Sequence, residues 1–334
     1  MSTLFISGFN DNNTAKMYPH PDGGAGYRYD GCCGVFGYMD FGKTKTESIT
    51  LFGIALKHQK IRIPKNTSLI FNEISDPDSH HQTLKRCEEL CWKLQLPVIN
   101  HPTKILKTTR DSISLLLKDI PGLRVPETIR FIPRSPGDVY AEIDRAGLAL
   151  PVIVRTAGSH GGISSILITG RDDFDKLHVY AFDGSTFYLT EYVDYVSDDG
   201  LYRKTRIVVI DNIPLIRHSL ISERWMVHAA SRNFMRENNL LHEEDTMIRE
   251  TFNSQILPAI KPTIDEITRR LQLEYYGIDC NIDSQGNMLI FEVNANMNIL
   301  TNKTKMHRHQ LSIIKQHILK MVKKYADKNS QKKK

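Results

Sequence analysis

Residues 277–298 read GIDCNIDSQGNMLIFEVNANMN, and this stretch limits the possible folds more than any other in the chain. GIDCNID and NMLIFEVN alternate polar and apolar positions around a Gly-containing turn, which predicts a β-hairpin. A two-residue loop at Gln285 and Gly286 pairs Ser284 with Asn287, and continuing that register sets Asp279 directly opposite Glu292. Asn294 follows on the same face. Like charges facing each other across a ladder repel, and the arrangement becomes favourable when a divalent ion sits between them. Oxygen-only donors point to Mg²⁺ or Mn²⁺. An acidic hairpin with both carboxylates in solvent is the simpler reading of the same pattern. An EF-hand is excluded although Asp279, Asn281 and Asp283 have its opening spacing. Its sixth position would be Ser284 instead of glycine, and its twelfth Ile290 instead of glutamate.

A second hairpin carries the opposite charge. In RKTRIVVIDNIPLIRHSLIS, a turn at Asp211-Asn212 sets Arg206 across from Arg217. Two guanidinium groups on one face suit a phosphate or carboxylate between them. Arg203 and Lys204 add charge nearby, and a solvated basic strand is the alternative. A third element is the loop RTAGSHGGISS, from Arg155 to Ser165, between strand-like PVIV and ISSILI. Its glycines leave backbone N–H groups free to approach a phosphate chain. It is neither a Walker loop nor a GxGxxG turn opening a helix.

The order of these parts resembles the ATP-grasp superfamily, most of all its carboxylate-amine ligases, such as D-alanine:D-alanine ligase, glutathione synthetase and the ribosomal-protein glutamate ligases. The similarity covers roughly residues 105 to 300, and the D…E-x-N hairpin is its most specific part. The resemblance implies that Asp279, Glu292 and Asn294 hold the Mg²⁺ that bridges the ATP phosphates. It also implies that Gly158, Ser159, His160, Gly161 and Gly162 close over those phosphates. FYLTEYVDY resembles the adenine hinge, with backbone groups at Glu191 and Val193 on the base edge and Tyr192 between them. Asp194 or Asp198 would then meet the ribose hydroxyls. Where the family has two phosphate-contacting lysines, this chain has Arg110 and Arg155, which keep the charge but present a wider, planar donor set. TTRDSISLLLKDI reads as a helix capped by Thr108 or Thr109, so Arg110 sits in its first turn against the helix dipole, where an anionic ligand would reverse the sign. Asp111 beside it could neutralise the same charge.

The 334 residues, 40% apolar and 25% charged, suffice for a large core divided into subdomains. No apolar run reaches 18 residues, and MSTLFISGFNDNN lacks the features of a signal peptide, so no membrane contact and a cytoplasmic location are expected. Cys32, Cys33, Cys87, Cys91 and Cys280 form a sparse, odd set that suits reduced thiols, with Cys87 and Cys91 facing a core one helical turn apart. The net charge of +6 is concentrated from Lys320 onward, where seven lysines stand against one aspartate. Specific nucleic-acid binding is therefore not expected.

The expected fold class is α/β with α+β subdomains, an ATP-grasp fold behind an N-terminal parallel-sheet domain. The expected boundaries are 1–104 for the N-terminal domain, 105–189 for the central subdomain with the glycine loop, 190–326 for the subdomain with the metal site, and 327–334 for a basic disordered tail. Within the first, SLIFNEISDPD, SHHQTLKRCEELCWKLQ and PVIN read strand, loop, helix, strand. Asn72, Asp76 and Asp78 lie beyond a strand's carboxyl end, where they either face an acceptor substrate or serve as caps, while His80 and His81 read as surface helix residues. SERWMVHAASRNFMRENN and the segment after it have helical periodicity, interrupted at Pro258 and Pro262.

The resemblance implies an ATP-dependent, ADP-forming ligase that joins a small-molecule or peptide carboxylate to an amine through an acyl phosphate, with ATP and Mg²⁺ (or Mn²⁺) as cofactors. Arg217 would bind the transferring phosphoryl group and Arg206 the group beside it. Homodimers are common in the superfamily. The rival expectations are an ATP-grasp kinase acting on a hydroxyl of a small anionic substrate, and an ATP-binding module without turnover.

Overall fold

A computed structural model describes residues 2–14, 16–19, 24–28, 30–42, 44–51, 61–159, 162, 164–300 and 307–331. The near-continuous apolar runs of β1 (Ser2–Gly8) and β5 (Thr67–Asn72) are buried on both faces, as parallel sheets require. Between them lie a short ribbon of β2 (Lys16–Pro19) and β3 (Ala25–Arg28), helix α1 (Val35–Tyr38) and strand β4 (Lys45–Leu51). After β5 come α2 (His81–Leu94), β6 (Val98–Ile99) and α3 (Pro102–Ile105). The sheet is parallel, in the order β4-β1-β5-β6. Helix α2 lays Thr83, Leu84, Cys87 and Cys91 against it, which puts the two cysteines in the core as their spacing predicts.

The polar residues at the end of β5 serve structure. Asn72 donates to Asn100 O at 3.1 Å and takes part in a buried amide network in which Asn296 Nδ2 donates to Asn72 O and Ile74 O, both at 2.9 Å. Asp76 accepts from the backbone N–H of Asp78 at 2.9 Å in a tight turn. Asp78 accepts from Tyr188 Oη at 2.8 Å and pairs with Arg130. His81 is exposed, but His80 is fully buried rather than on the surface: it precedes α2 and lies within 2.8 Å of Ser79 Oγ through Nδ1.

The middle of the chain holds α4 (Arg110–Leu117), β7 (Leu123–Arg124), β8 (Thr128–Phe131), α5 (Pro136–Ala146), β9 (Val152–Thr156), β10 (Ser165–Ile168) and β11 (Phe187–Glu191). Four of these strands form an antiparallel sheet, in the order β10-β9-β11-β8, with its own core of Val139, Val152, Val154, Ile168, Leu177, Phe187 and Leu189. α4 and β7 lie outside it. Ile113 and Leu117 join the core of the last sheet, and β7 pairs with that sheet's edge, so the chain crosses the expected boundary between the two subdomains.

The rest consists of β12 (Tyr202–Ile210), β13 (Ile213–Ser222), α6 (Ser231–Arg236), α7 (Asn239–Thr251), α8 (Leu257–Leu271), β14 (Tyr275–Ile282), β15 (Met288–Ala295) and α9 (Arg308–Gln331). The sheet order is β13-β12-β14-β15-β7. Asp211 and Asn212 both have positive φ, 49° and 67°, which gives the primed turn their side chains suggest. Pro258 stands in the first turn of α8, after a π-helical turn at Phe252–Ile256. Helix α9 buries Ile314, Ile318, Met321 and Val322 together with Phe5, Phe71 and Tyr275, so it ties the first sheet to the last. It also continues to Gln331, into the segment expected to be a disordered tail. Among the described residues no helix is long and apolar enough to cross a membrane.

Candidate active site

The two expected hairpins meet side by side, and each reaches its site through a bulge. In the β14–β15 pair the turn is longer than two residues, with Ile282 opposite Met288 and Asp283 N donating to Asn287 O at 3.0 Å. The register near the turn therefore differs by one from the expected one. A bulge between Asp279 and Cys280, with Phe291 as the extra residue, restores it, so Asp279 does face Glu292 and Gly277 faces Asn294. In the β12–β13 pair the expected register holds from Ile210 and Ile213 to Ile207 and Ile216. A bulge then inserts Arg217 and sets Arg206 opposite His218. Arg206 and Arg217 are therefore not a facing pair.

Where the central and last sheets meet, a cavity of about 410 Å³ opens. This is an ordinary size for a small-molecule site. Its lining includes five cations, Arg110, Arg155, Lys204, Arg206 and Arg232, against three carboxylates, Glu191, Asp279 and Glu292. Arg206 forks onto Asp279 through Nε at 2.6 Å and Nη2 at 2.7 Å, and Lys204 Nζ approaches the same carboxylate at 3.3 Å. Burial works against the Asp279 charge, but Arg206 and then Lys204 outweigh it and hold the carboxyl well below the usual range. Glu292 pairs with Arg110 in the first turn of α4, and Arg110 Nη1 also donates to Phe291 O at 3.1 Å. The helix begins at Thr109 without a side-chain cap, because Thr109 Oγ1 donates to Ser112 Oγ at 2.7 Å. The guanidinium against the helix dipole is thus answered by Glu292, while Asp111 Oδ1 has no partner among the described residues.

Arg155 lies beside Tyr188 in the central sheet and donates to the Ser159 carbonyl. Burial, and then Arg110, push its pKa down to about 10. The loop it touches turns at Gly158 (φ 69°) and Gly162 (φ 77°). Gly162 lines the cavity; Gly158 packs near Ser79 of the N-terminal domain. His160 and Gly161, expected in this loop, lie outside the described residues.

At the hinge, Glu191, Tyr192 and Val193 line the cavity. Glu191 pairs with Arg124, and its backbone N–H donates to Glu127 O at 2.9 Å. Asp194 and Asp198 are exposed and lie outside the lining, and Asp194 accepts from Tyr192 Oη at 3.3 Å. Asn294 shares the Glu292 face but also lies outside the lining.

Several lining residues were not legible in the sequence. Phe291, turned out by the bulge, packs on Tyr195 with ring centroids 4.6 Å apart, and Trp225 meets Tyr192 edge-on at 5.7 Å. These rings, tilted and edge-on to one another, give the cavity an apolar aromatic wall suited to a heteroaromatic base. Trp225 comes from SERWMVHAASRNF, which reads as helix; residues 223–230 are irregular, and α6 starts only at Ser231. His218 is buried and kept neutral, chiefly by burial and then by Arg206. Arg203, counted with the basic cluster, turns away to Asp199 and Glu244.

Two of the residues expected to act behave differently from expectation. Arg206 lines the cavity but is committed to Asp279. Arg217 is 5% exposed, lies outside the lining and donates Nε to Ile299 O at 3.1 Å. As metal donors, Asp279, Glu292 and Asn294 offer only oxygen on one face of one ladder, which fits a hard divalent cation. Both carboxylates are held by guanidinium groups, and no cluster of three His, Cys, Asp or Glu side chains occurs among the described residues. Such an ion would have to share or displace those cations.

No protein-family model matches the chain, and no curated protein matches it by sequence. Solved structures do. The D-alanine–D-alanine ligase of Bacillus anthracis complexed with ATP aligns with a TM-score of 0.56 at 12% identity, over 99% of each chain. The VanG D-Ala:D-Ser ligase of Enterococcus faecalis aligns with a TM-score of 0.56 at 14% identity, over 97% of this chain and 99% of the other. The macrocyclase MdnC of Microcystis aeruginosa MRC, bound with precursor peptide MdnA, aligns with a TM-score of 0.53 at 13% identity, over 96% and 98%. The chain has the ATP-grasp fold.

Proposed function

We propose that the protein is an ATP-dependent ligase that joins a carboxylate to an amine, with ADP and inorganic phosphate as products. One observation carries this reading: the cavity has an aromatic wall by the Glu191–Val193 hinge, an excess of guanidinium groups, and a facing Asp279–Glu292 pair. An adenine fits the wall, and a triphosphate suits the cations. Similarity to ligases whose structures hold ATP or a precursor peptide supports the same assignment.

Arg110 and Arg155 would hold the triphosphate, with the loop around Gly158 and Gly162 covering it. Asp279, Glu292 and Asn294 would hold Mg²⁺, which when bound draws charge from the phosphate oxygens. A substrate carboxylate oxygen attacks the γ-phosphorus, the bond to the bridging oxygen breaks, and ADP leaves. Arg206, held rigid by Asp279, stabilises charge on the transferred group. The amine nitrogen then attacks the acyl carbon and expels phosphate. No side-chain nucleophile is required, so the chain's work is binding, orientation and electrostatics.

The test is to measure ADP and free phosphate together, with Mg·ATP, over a panel of amino acids, dipeptides and polyols. A ligase releases both in equal amounts, and only when acid and amine are present. ADP without free phosphate, with the phosphoryl group on a polyol, would make it a kinase. Binding without ADP formation across the panel would make it a nucleotide-binding module.

A further inference from the structure

Pairing every buried or cavity-lining cation with a carboxylate leaves three over, Arg155, Arg217 and Arg232, and the last two lie away from the triphosphate end. Arg206 and Lys204 share Asp279, Arg110 has Glu292, and Arg249 has Asp245, which His307 also approaches at 3.5 Å. Arg155 is bonded to a neutral carbonyl beside the triphosphate end. Arg217 is nine-tenths buried, and among the described residues it bonds only to the Ile299 carbonyl and leaves Nη1 without a partner. Arg232 lines the cavity and has no ion pair among those residues. The segment that joins Leu300 to His307 reads Thr-Asn-Lys-Thr-Lys-Met and contains no acid.

Burial, then Arg232 and Arg206, push the Arg217 pKa down to about 10, and burial followed by Arg206 lowers that of Arg232; Asp245, already paired with Arg249, works the other way on both and does not offset these effects. Beside them His218, 4% exposed, lines the cavity with Nδ1 unpartnered among the described residues. Buried polar atoms in native proteins almost always have partners, and uncompensated buried charge is costly. A molecule that keeps two guanidiniums and an imidazole in this state has a place for an anion.

That place is separate from the triphosphate end. Arg217 and His218 stand on β13, two strands from Asp279 on β14 and three from Glu292 on β15. At the usual strand spacing this is roughly 10 to 14 Å. We propose that Arg232, with Arg217 behind it and His218 beside it, seats a second carboxylate of the acid substrate, so that the acid is a dicarboxylic acid or a peptide with a second carboxylate. The inference rests on the ligase reading, since it concerns the substrate of that same site.

The experiment uses the full chain and Arg232→Gln, with glutarate, butyrate and inorganic phosphate as probes. Without ligand, Arg232→Gln should melt higher than wild type, because an unanswered charge is gone. Glutarate should raise the wild-type melting temperature more than butyrate or phosphate, and should lose that effect in the variant. In turnover, Arg232→Gln should raise KM for diacids on the order of tenfold to a hundredfold, the loss of a charge-assisted hydrogen bond, while KM for ATP stays within twofold. A lower melting temperature for the variant would overturn the inference. So would a phosphate shift as large as that of glutarate, or an equal fall in kcat with mono- and diacids, since these assign Arg232 to the phosphoryl group. Absence of ADP with every acid would count against the ligase reading alone, because the melting experiment needs no turnover.

Discussion

Asp279→Asn separates the two members of the facing carboxylate pair by energy. Asp279 is 2% exposed and neutralises both Arg206 and Lys204, whereas the side chain of Glu292 is 21% exposed and answers Arg110 at the cavity wall. Replacing Asp279 with its neutral isostere leaves Arg206 in a buried strand pair without its forked partner. Losing one member of a buried pair costs about 3–5 kcal/mol. A quarter of the Arg206 side chain reaches the cavity, which lowers the expectation to about 2–4 kcal/mol. The folded-state pKa of Asp279 is depressed, so this stabilisation is present above the unfolded carboxyl pKa and is lost as pH falls through the folded value. The penalty should therefore be constant between pH 5 and 8 and shrink in acid. Urea denaturation of wild type, Asp279→Asn, Arg206→Met and the double variant measures it. The double variant should recover much of the loss, since an apolar stem tolerates the site better than a lone charge. A loss under about 1 kcal/mol, or a double variant equal to the sum of the singles, would refute the account of a buried, mutually dependent pair.

Other features of the same structure give further expected outcomes. Glu292→Gln should cost little stability, about 1 kcal/mol or less, yet remove Mg²⁺-dependent ADP formation; unchanged turnover would sink the site assignment. Gly277→Ala should destabilise by about 1–3 kcal/mol, because the added Cβ would lie 2.3 Å from Met297 Sδ in a buried strand, and a melt within 1 °C of wild type would contradict that packing. Glu73 is 4% exposed, and burial raises its pKa to about 7. A raised folded-state value favours the protonated acid, so its contribution is complete below the unfolded pKa and lost as pH rises through about 7. Glu73→Gln, which keeps an acceptor for the Phe36 N–H, should therefore be more stable than wild type at pH 8, by roughly 3 kcal/mol, and close to it at pH 4. Equal urea midpoints for the two at pH 8 would contradict the buried-acid account.

What the sequence determined on its own is local. Asp211-Asn212 adopts left-handed backbone because short polar side chains tolerate it, and alternation of polar and apolar residues set the faces of both hairpins. Period-two patterning put Asp279 and Glu292 on one face, but they stand opposite each other because the bulge at Phe291 offsets a turn that is a residue longer than its composition suggested. The ATP-grasp fold was legible because its marks lie in short contiguous segments. The tertiary structure decided what the side chains meet. A bulge cannot be read from alternation, since one extra residue leaves the pattern almost intact while redirecting the remainder of the strand, and two of them put Arg217 behind the wall and Phe291 in it. The loop carrying Trp225 kept a helical period without forming a helix, because its aromatic ring packs across the cavity onto Tyr192 instead of along a turn of its own. Which cations have counter-charges, and which are left for a ligand, depends on strands and helices far apart in the chain, and so on how the last sheet and its helices pack together.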